Sequence, residues 1–85
     1  MTDDLSPDLT PDLELDCRDL RCPLPVIELG RRLHEVDVGQ LIGVATGDIA
    51  ARTDVPAWCR MRAQEYAGES RAADGTPLYL VRRLT

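Results

Sequence analysis

The chain has 85 residues, of which 44% are hydrophobic and 29% are charged, and its formal net charge is −5. This length allows one small domain with a modest core, and the composition is typical of a globular protein rather than a disordered one. Four acidic residues lie in the first twelve positions, and subtracting their charge leaves −1 for residues 13–85. A near-neutral body lacks the positive charge with which proteins bind nucleic acids on their own, so no direct, stable nucleic-acid binding is expected.

No run of 18 apolar residues and no secretory leader is found, which predicts a cytoplasmic protein without membrane contact. All ten basic residues are arginine, so Schiff-base chemistry on a lysine side chain is excluded. The three cysteines, Cys17, Cys22 and Cys59, are an odd number and form no C-x-x-C pair. With one histidine besides, neither a disulfide framework nor a metal site is expected. The cysteines are therefore expected either to react through their thiols or to be buried in the core.

Residues 1–12 are aspartate-rich and interrupted by prolines, which predicts a flexible acidic tail before a domain over residues 13–85. Residues 13–17 alternate apolar and polar side chains, as in a half-buried strand. Cys17 falls on the same face as Leu13 and Leu15, so core packing is its expected role. Residues 18–21 then connect this strand to a helix.

The sequence RCPLP predicts a helix start that carries a reactive thiol. Pro23 and Pro25 fit a first helical turn, because its N–H groups have no partner within the helix. Cys22 then falls at the N-cap, where the helix dipole favours an anion. With Arg21 beside it, the thiol of Cys22 is expected to have a lowered pKa and to be partly ionised at neutral pH.

The helix is predicted to run from Pro23 to about Val36, with one apolar stripe. The members of the stripe are spaced by three and four residues: Val26, Leu29, Leu33 and Val36. Ile27 would widen the stripe, and Gly30 would allow close packing on a sheet. His34 is interpreted as an exposed side chain, and Gly39 as a left-handed helix cap.

The second half of the chain predicts a central strand over residues 40–46, one helical turn over residues 49–52 and a second helix. Thr53 or Asp54 would cap that helix, Pro56 would lie near its first position and Gly68 would end it. Tyr66 would share the inner side of the helix.

Two further strands, residues 69–73 and 78–84, form a predicted hairpin around Asp74 and Gly75. The element order is therefore β-α-β-α-β-β. For so short a chain, the expected fold is α+β: a two-layer α/β sandwich with two helices on one face of a four-stranded mixed sheet.

Residues 15–27 and the segment DIAARTDVPAWC, residues 48–59, together resemble the signatures of the TusA/SirA family of small sulfur-carrier proteins. The resemblance covers about residues 13–84. It implies the fold given above, and that Cys22 carries sulfur as a persulfide. The residues around this cysteine that are expected to support or tune it are Arg21, Asp19, Pro23 and Pro25. No cofactor is implied.

The resemblance also implies partners. A cysteine desulfurase or a rhodanese-type donor would supply sulfane sulfur, and a downstream protein would accept it. Thiolation of tRNA, sulfuration of the molybdenum cofactor, dissimilatory sulfur oxidation and selenium handling all occur among relatives, so the acceptor pathway is left open.

Two positions depart from the family pattern. Asp19 stands where glycine is usual, and Ile49 where proline is usual. A carboxylate at Asp19 would disfavour the Cys22 thiolate. Asp48 and Asp54 match acidic positions of the family, and Asp54 is interpreted as a helix cap.

Cys59, within the second helix, is either a resolving thiol or, as favoured here, a buried one. Two other functions stay open. The domain could be a non-catalytic regulatory or protein-binding module of the same fold, or a thiol redox protein that pairs Cys22 with Cys17 or Cys59.

Overall fold

The computed structural model describes residues 10–85, and within them the predicted order of helices and strands is confirmed. The elements are β1 (Leu13–Asp16), α1 (Leu24–Arg32), a short 3₁₀ turn (Leu33–Glu35), β2 (Leu41–Ala45), α2 (Ala51–Arg62), β3 (Glu65–Arg71) and β4 (Pro77–Arg82). Most of the predicted acidic tail, residues 1–9, lies outside the described residues. Across residues 10–85, no helix has both the length and the apolar character needed to cross a membrane.

The four strands form one mixed sheet in the order β1-β2-β4-β3. β1 and β2 are parallel, and the connection between them runs through α1, since parallel neighbours need a crossover. β4 pairs antiparallel with both β2 and β3, and the β3–β4 hairpin turns at Asp74 and Gly75 as predicted. β2 is therefore a central strand, and its carboxyl end lies beside that of β1.

Both helices pack on the same face of the sheet and enclose the main core. The predicted alternation along β4 is confirmed, because Tyr79 and Val81 face the helices while Leu78 and Leu80 face the opposite side. Both layers contribute to the main core, which includes Leu15, Leu29, Ile42, Val44, Val55, Trp58 and Tyr79. Cys17 is fully buried among them, as predicted.

α1 is shorter than predicted, because the helix changes to a 3₁₀ turn at Leu33 instead of continuing to Val36. The side chain of Ile27 is 49% exposed and does not widen the apolar stripe. Gly30 also differs from its interpretation, since the atoms that a Cβ would meet there belong to Trp58 and Arg62 of α2, not to the sheet. Gly30 thus lies at the helix–helix contact.

α2 begins earlier than predicted. The N–H groups of Ala51 and Arg52 donate to the carbonyl oxygens of Asp48 and Ile49, so the predicted turn over residues 49–52 merges with the helix. Pro56 lies inside the helix, where it removes one backbone donor. The interpretation of Thr53 or Asp54 as the cap was therefore wrong.

The end of α2 was also mispredicted. Ala63 adopts a left-handed conformation with φ of 57°, and the Gln64 N–H donates to the carbonyl oxygen of Cys59 at 2.9 Å. Tyr66 and Gly68 belong to β3, with a bulge between them, and not to the helix or its cap. β3 is a half-buried edge strand, so its alternation is weak in the sequence.

The residues directly before β1 also contact the sheet. The Asp12 N–H donates to the carbonyl oxygen of Leu41 at 2.8 Å, and the Asp12 carboxylate accepts the Leu41 N–H at 2.9 Å. Gly43, in β2, leaves room for Pro11 and Leu78, since a Cβ there would lie 3.1 Å and 3.0 Å from their side chains. Residues 11 and 12 are thus packed against β2.

Candidate functional site

Cys22 lies at the surface, directly before α1, whereas Cys17 and Cys59 are buried in the core. Pro23 occupies the N-cap position of α1, so Cys22 lies one residue before the cap and not at it, as had been predicted. Pro25 is buried in the first turn of the helix. The predicted helix start is thus present, with the thiol exposed at its tip.

The parallel pairing of β1 and β2 brings a second chain segment to Cys22. Because the two strands end at the same edge of the sheet, the residues that follow each of them become neighbours. The Asp48 Oδ2 atom accepts the backbone N–H of Cys22 at 2.7 Å, and its Oδ1 atom accepts the Ala50 N–H at 3.0 Å. The Asp48 N–H donates to Thr46 Oγ1 at 3.1 Å. Asp48 therefore fixes the backbone of Cys22 to the start of α2.

The thiol itself contacts a different carboxylate. The Cys22 Sγ atom donates to Asp54 Oδ2 over 2.8 Å. Asp54 lies in the first turns of α2, and its side chain is half-buried. Val26 and Ala51 line the same small crevice beside the thiol. Cys22 thus lies between two carboxylates: Asp48 accepts a hydrogen bond from its backbone N–H, and Asp54 accepts a hydrogen bond from its thiol.

The pKa of the Cys22 thiol is raised, opposite to the sequence prediction. The hydrogen bond to Asp54 is the main cause, followed by desolvation and by the charges of Asp54 and Asp48. The expected stabilisation by the helix start is weak here, because Pro23 and Pro25 carry no N–H and the Leu24 N–H donates to the carbonyl oxygen of Arg21. The thiol is therefore protonated at neutral pH.

The predicted supporting residues Arg21 and Asp19 lie in the connection between β1 and α1. Together with Ile49 they line an open cleft next to Cys22, so the two positions that depart from the family pattern lie in one cleft. The pKa of the Asp48 carboxyl is lowered mainly by the hydrogen bonds from the Cys22 and Ala50 N–H groups, and the positive charge of Arg21 lowers it further. The carboxylates that raise the thiol pKa are Asp54 and Asp48, and Asp19 is not among the causes.

The thiols of the two buried cysteines, Cys17 and Cys59, are not accessible at the surface of the protein. Burial raises the pKa of Cys59 to about 11, and burial is also the main cause of the raised pKa of Cys17. Cys59 is 1% exposed and Cys17 is not exposed at all. Of the cysteines, Cys22 alone is accessible to a protein partner, and all three lie within residues 10–85.

Sequence reasoning missed the roles of Asp48 and Asp54. The position of Asp48 could have been found, because a residue after a strand parallel to β1 must approach the residues that follow β1. Asp54 gave no such signal, because its contact with Cys22 depends on α2 starting at Ala51.

The fold and the site define a class: small two-layer α+β proteins that present one thiol at the start of the first helix. The family model of the sulfurtransferase TusA matches residues 13–83, and the chain belongs to this family.

Relatives agree with this assignment. A sulfur carrier protein TusA of Pseudomonas syringae pv. syringae is 37% identical over 75 residues, 88% of each chain. Another, of Pseudomonas putida strain GB-1, is 36% identical over 76 residues, which are 89% of this chain and 94% of that one. Among solved structures, a SirA-like protein of Desulfitobacterium hafniense has a TM-score of 0.70 at 16% identity, covering 86% of this chain and 99% of the other. The structural match shows the fold.

Proposed function

We propose that this protein is a cytoplasmic sulfur carrier that accepts sulfane sulfur as a persulfide on Cys22 and relays it to an acceptor protein. The observation that supports this most strongly is the placement of Cys22. Its thiol is exposed while its backbone N–H is held by Asp48 at 2.7 Å. A thiol that must meet two different proteins in turn needs both access and a fixed position. The names of the relatives point to the same role.

The transfer conserves atoms and electrons without a cofactor. Cys22 Sγ forms a bond to the terminal sulfur of a donor persulfide, and the S–S bond of the donor breaks. The inner sulfur of the donor leaves with the bonding electron pair and becomes a thiol. Cys22 is thereby oxidised to a persulfide while the donor is reduced. An acceptor thiol then attacks the terminal sulfur on Cys22 in the same way, and Cys22 returns to a thiol.

The donor in this proposal is a cysteine desulfurase or a rhodanese-type protein, and the acceptor is a downstream protein. The sulfur would serve tRNA thiolation, molybdenum-cofactor sulfuration or another branch of sulfur metabolism. Residues 13–85 carry a net charge of −1, which supports transfer between proteins rather than direct binding to tRNA.

The test is intact-protein mass spectrometry after incubation with a cysteine desulfurase and cysteine, without reductant. We expect an adduct with the mass of one sulfur atom that reductant removes and that maps to Cys22. The control is Cys22→Ala, which should take up no sulfur. Equal uptake by wild type and Cys22→Ala, or no uptake from either type of donor, would refute the proposal.

One observation favours a second function, a non-catalytic protein-binding domain. The raised pKa of the Cys22 thiol leaves little thiolate at neutral pH, and thiolate is the attacking form. Under this alternative, Cys22→Ser would bind the partner and support its function as well as wild type. Under the carrier proposal, Cys22→Ser keeps its fold and loses function.

A further inference from the structure

We propose that Asp54 is a catalytic residue that takes the proton from the Cys22 thiol during attack and delivers it to the leaving sulfur of the donor. This inference rests on the proposed function, and it adds to the transfer a second residue that acts directly on the reacting sulfur. Asp54 is the residue whose side chain accepts a hydrogen bond from the reacting sulfur.

The contacts of the two carboxylates separate their roles. Asp48 is occupied by backbone N–H groups, those of Cys22 at 2.7 Å and Ala50 at 3.0 Å, and so it positions the connection before α1. Asp54 Oδ2 instead accepts the thiol proton itself over 2.8 Å. Because Asp54 is carried by α2, whose inner face packs on the core, its carboxylate is held in place before any donor arrives.

The charges around the thiol explain why a proton acceptor is needed. Asp54 and Asp48 both face Cys22, and their negative charges raise the pKa of the thiol. Arg21, on the preceding connection, acts on Asp48. A thiol in this environment starts the reaction protonated, and a carboxylate at hydrogen-bond distance can accept the proton as the new S–S bond forms.

In the proposed step, the proton of the Cys22 thiol passes through Asp54 to the leaving sulfur of the donor. The Cys22 Sγ electron pair forms the bond to the terminal sulfur of the donor, and the Sγ proton moves to Asp54 Oδ2. The donor S–S bond breaks, and its inner sulfur leaves with the bonding pair. The Asp54 carboxyl then gives its proton to that sulfur, which departs as a thiol, and the carboxylate is restored.

This mechanism predicts opposite effects of Asp54→Asn on two reactions of the same thiol. Alkylation by iodoacetamide needs thiolate and releases iodide, which takes no proton. Without the Asp54 carboxylate the thiol pKa falls, the thiolate fraction at neutral pH increases, and alkylation is faster. Sulfur uptake from glutathione persulfide loses its proton carrier and should slow by about a hundredfold, the lower end of the range for general acid–base catalysis.

The experiment measures both rates at neutral pH and across a pH series, for wild type, Asp54→Asn and Asp54→Glu. The glutamate variant keeps a carboxylate and should recover part of the uptake rate. Asp37→Asn is the matched control, since it makes the same change of charge at the far end of the first helical segment and should change neither rate. Circular dichroism and melting curves establish that each variant is folded.

The outcomes are distinct. Faster alkylation with slower sulfur uptake, and an uptake rate that now rises with pH as free thiolate does, support the assignment. If both rates rise, Asp54 only suppresses the thiolate, and if both fall in a folded variant, it only supports the thiol's position. Either result overturns the role in catalysis while sulfur carriage stands. Absence of uptake by wild type from glutathione persulfide and from protein donors refutes the proposed function itself.

Discussion

Gly30→Ala tests the packing between the two helices. Gly30 lies in the interior of α1, where glycine is unfavourable because its backbone loses more freedom on folding than that of alanine. An added Cβ would lie 3.6 Å from Arg62 Nη1 and 3.7 Å from Trp58 Nε1, which are ordinary contact distances. The space at the helix contact therefore accommodates a methyl group. Gly30→Ala is expected to stabilise the fold.

The magnitude follows from helix propensity. Alanine is favoured over glycine in a helix interior by about 1 kcal/mol, and no clash offsets this gain. In a domain of this size, a change of about 1 kcal/mol in the free energy of unfolding shifts the Tm by roughly 4–8 °C. The Tm of Gly30→Ala should therefore rise by about that amount, while sulfur uptake at Cys22 is unchanged.

Gly39→Ala is the matched control, because it makes the same chemical change where the backbone has φ of +93° and where no atom lies within 4 Å of the added Cβ. Its effect is therefore conformational alone, and the left-handed backbone should cost about 1–2 kcal/mol. Urea and thermal denaturation of both variants give the two values. A lower stability for Gly30→Ala would show that the helices need glycine to approach each other, as the sequence had suggested for a sheet contact.

Three further predictions concern thiol access, acid stability and the core. A thiol reagent such as DTNB should modify one cysteine in the native protein and all three after unfolding, and the native reaction should be absent in Cys22→Ser. A second cysteine that reacts quickly in the native protein would contradict the burial of Cys17 and Cys59. Arg18 hydrogen-bonds to Asp74 and holds the pKa of that carboxyl well below its usual range. The ionised Asp74 therefore stabilises the folded state fully above about pH 4, and this contribution to the free energy of unfolding is lost as the pH falls further. Arg18→Gln should therefore flatten the acid side of the stability curve in urea titrations, and an unchanged slope would refute this. Val55→Ala removes two carbon atoms from a fully buried side chain and should lower the free energy of unfolding by about 2–3 kcal/mol. A smaller loss would indicate that neighbouring side chains move to fill the cavity.

The fold could be predicted because its signals are local. The alternation of residues 13–17, the apolar spacing of α1 and the Asp74-Gly75 turn each depend on neighbours in the sequence. The errors lie where tertiary contacts decide. Gly68 was interpreted as a helix cap, yet it continues an edge strand whose half-buried residues show little periodicity.

The site was predicted only in part, for a similar reason. The exposed position of Cys22 next to the helix followed from the RCPLP segment. The sign of its pKa shift did not, because that sign depends on Asp48 and Asp54, which reach the cysteine from 26 and 32 residues further along the chain. A prediction from the helix dipole and Arg21 considers only the local charges. The carboxylates brought by the fold outweigh them.

These long-range contacts also mean that the chain distinguishes its cysteines only once it has folded. Before β2 and α2 join β1, the three thiols of the chain are chemically alike, and a persulfide donor could modify any of them. In the native protein two are enclosed and the third is held between carboxylates. If the proposed sulfur transfer takes place, the number of sulfur adducts therefore reports on conformation: a folded molecule should carry one, and a chain that met the donor before folding should carry several.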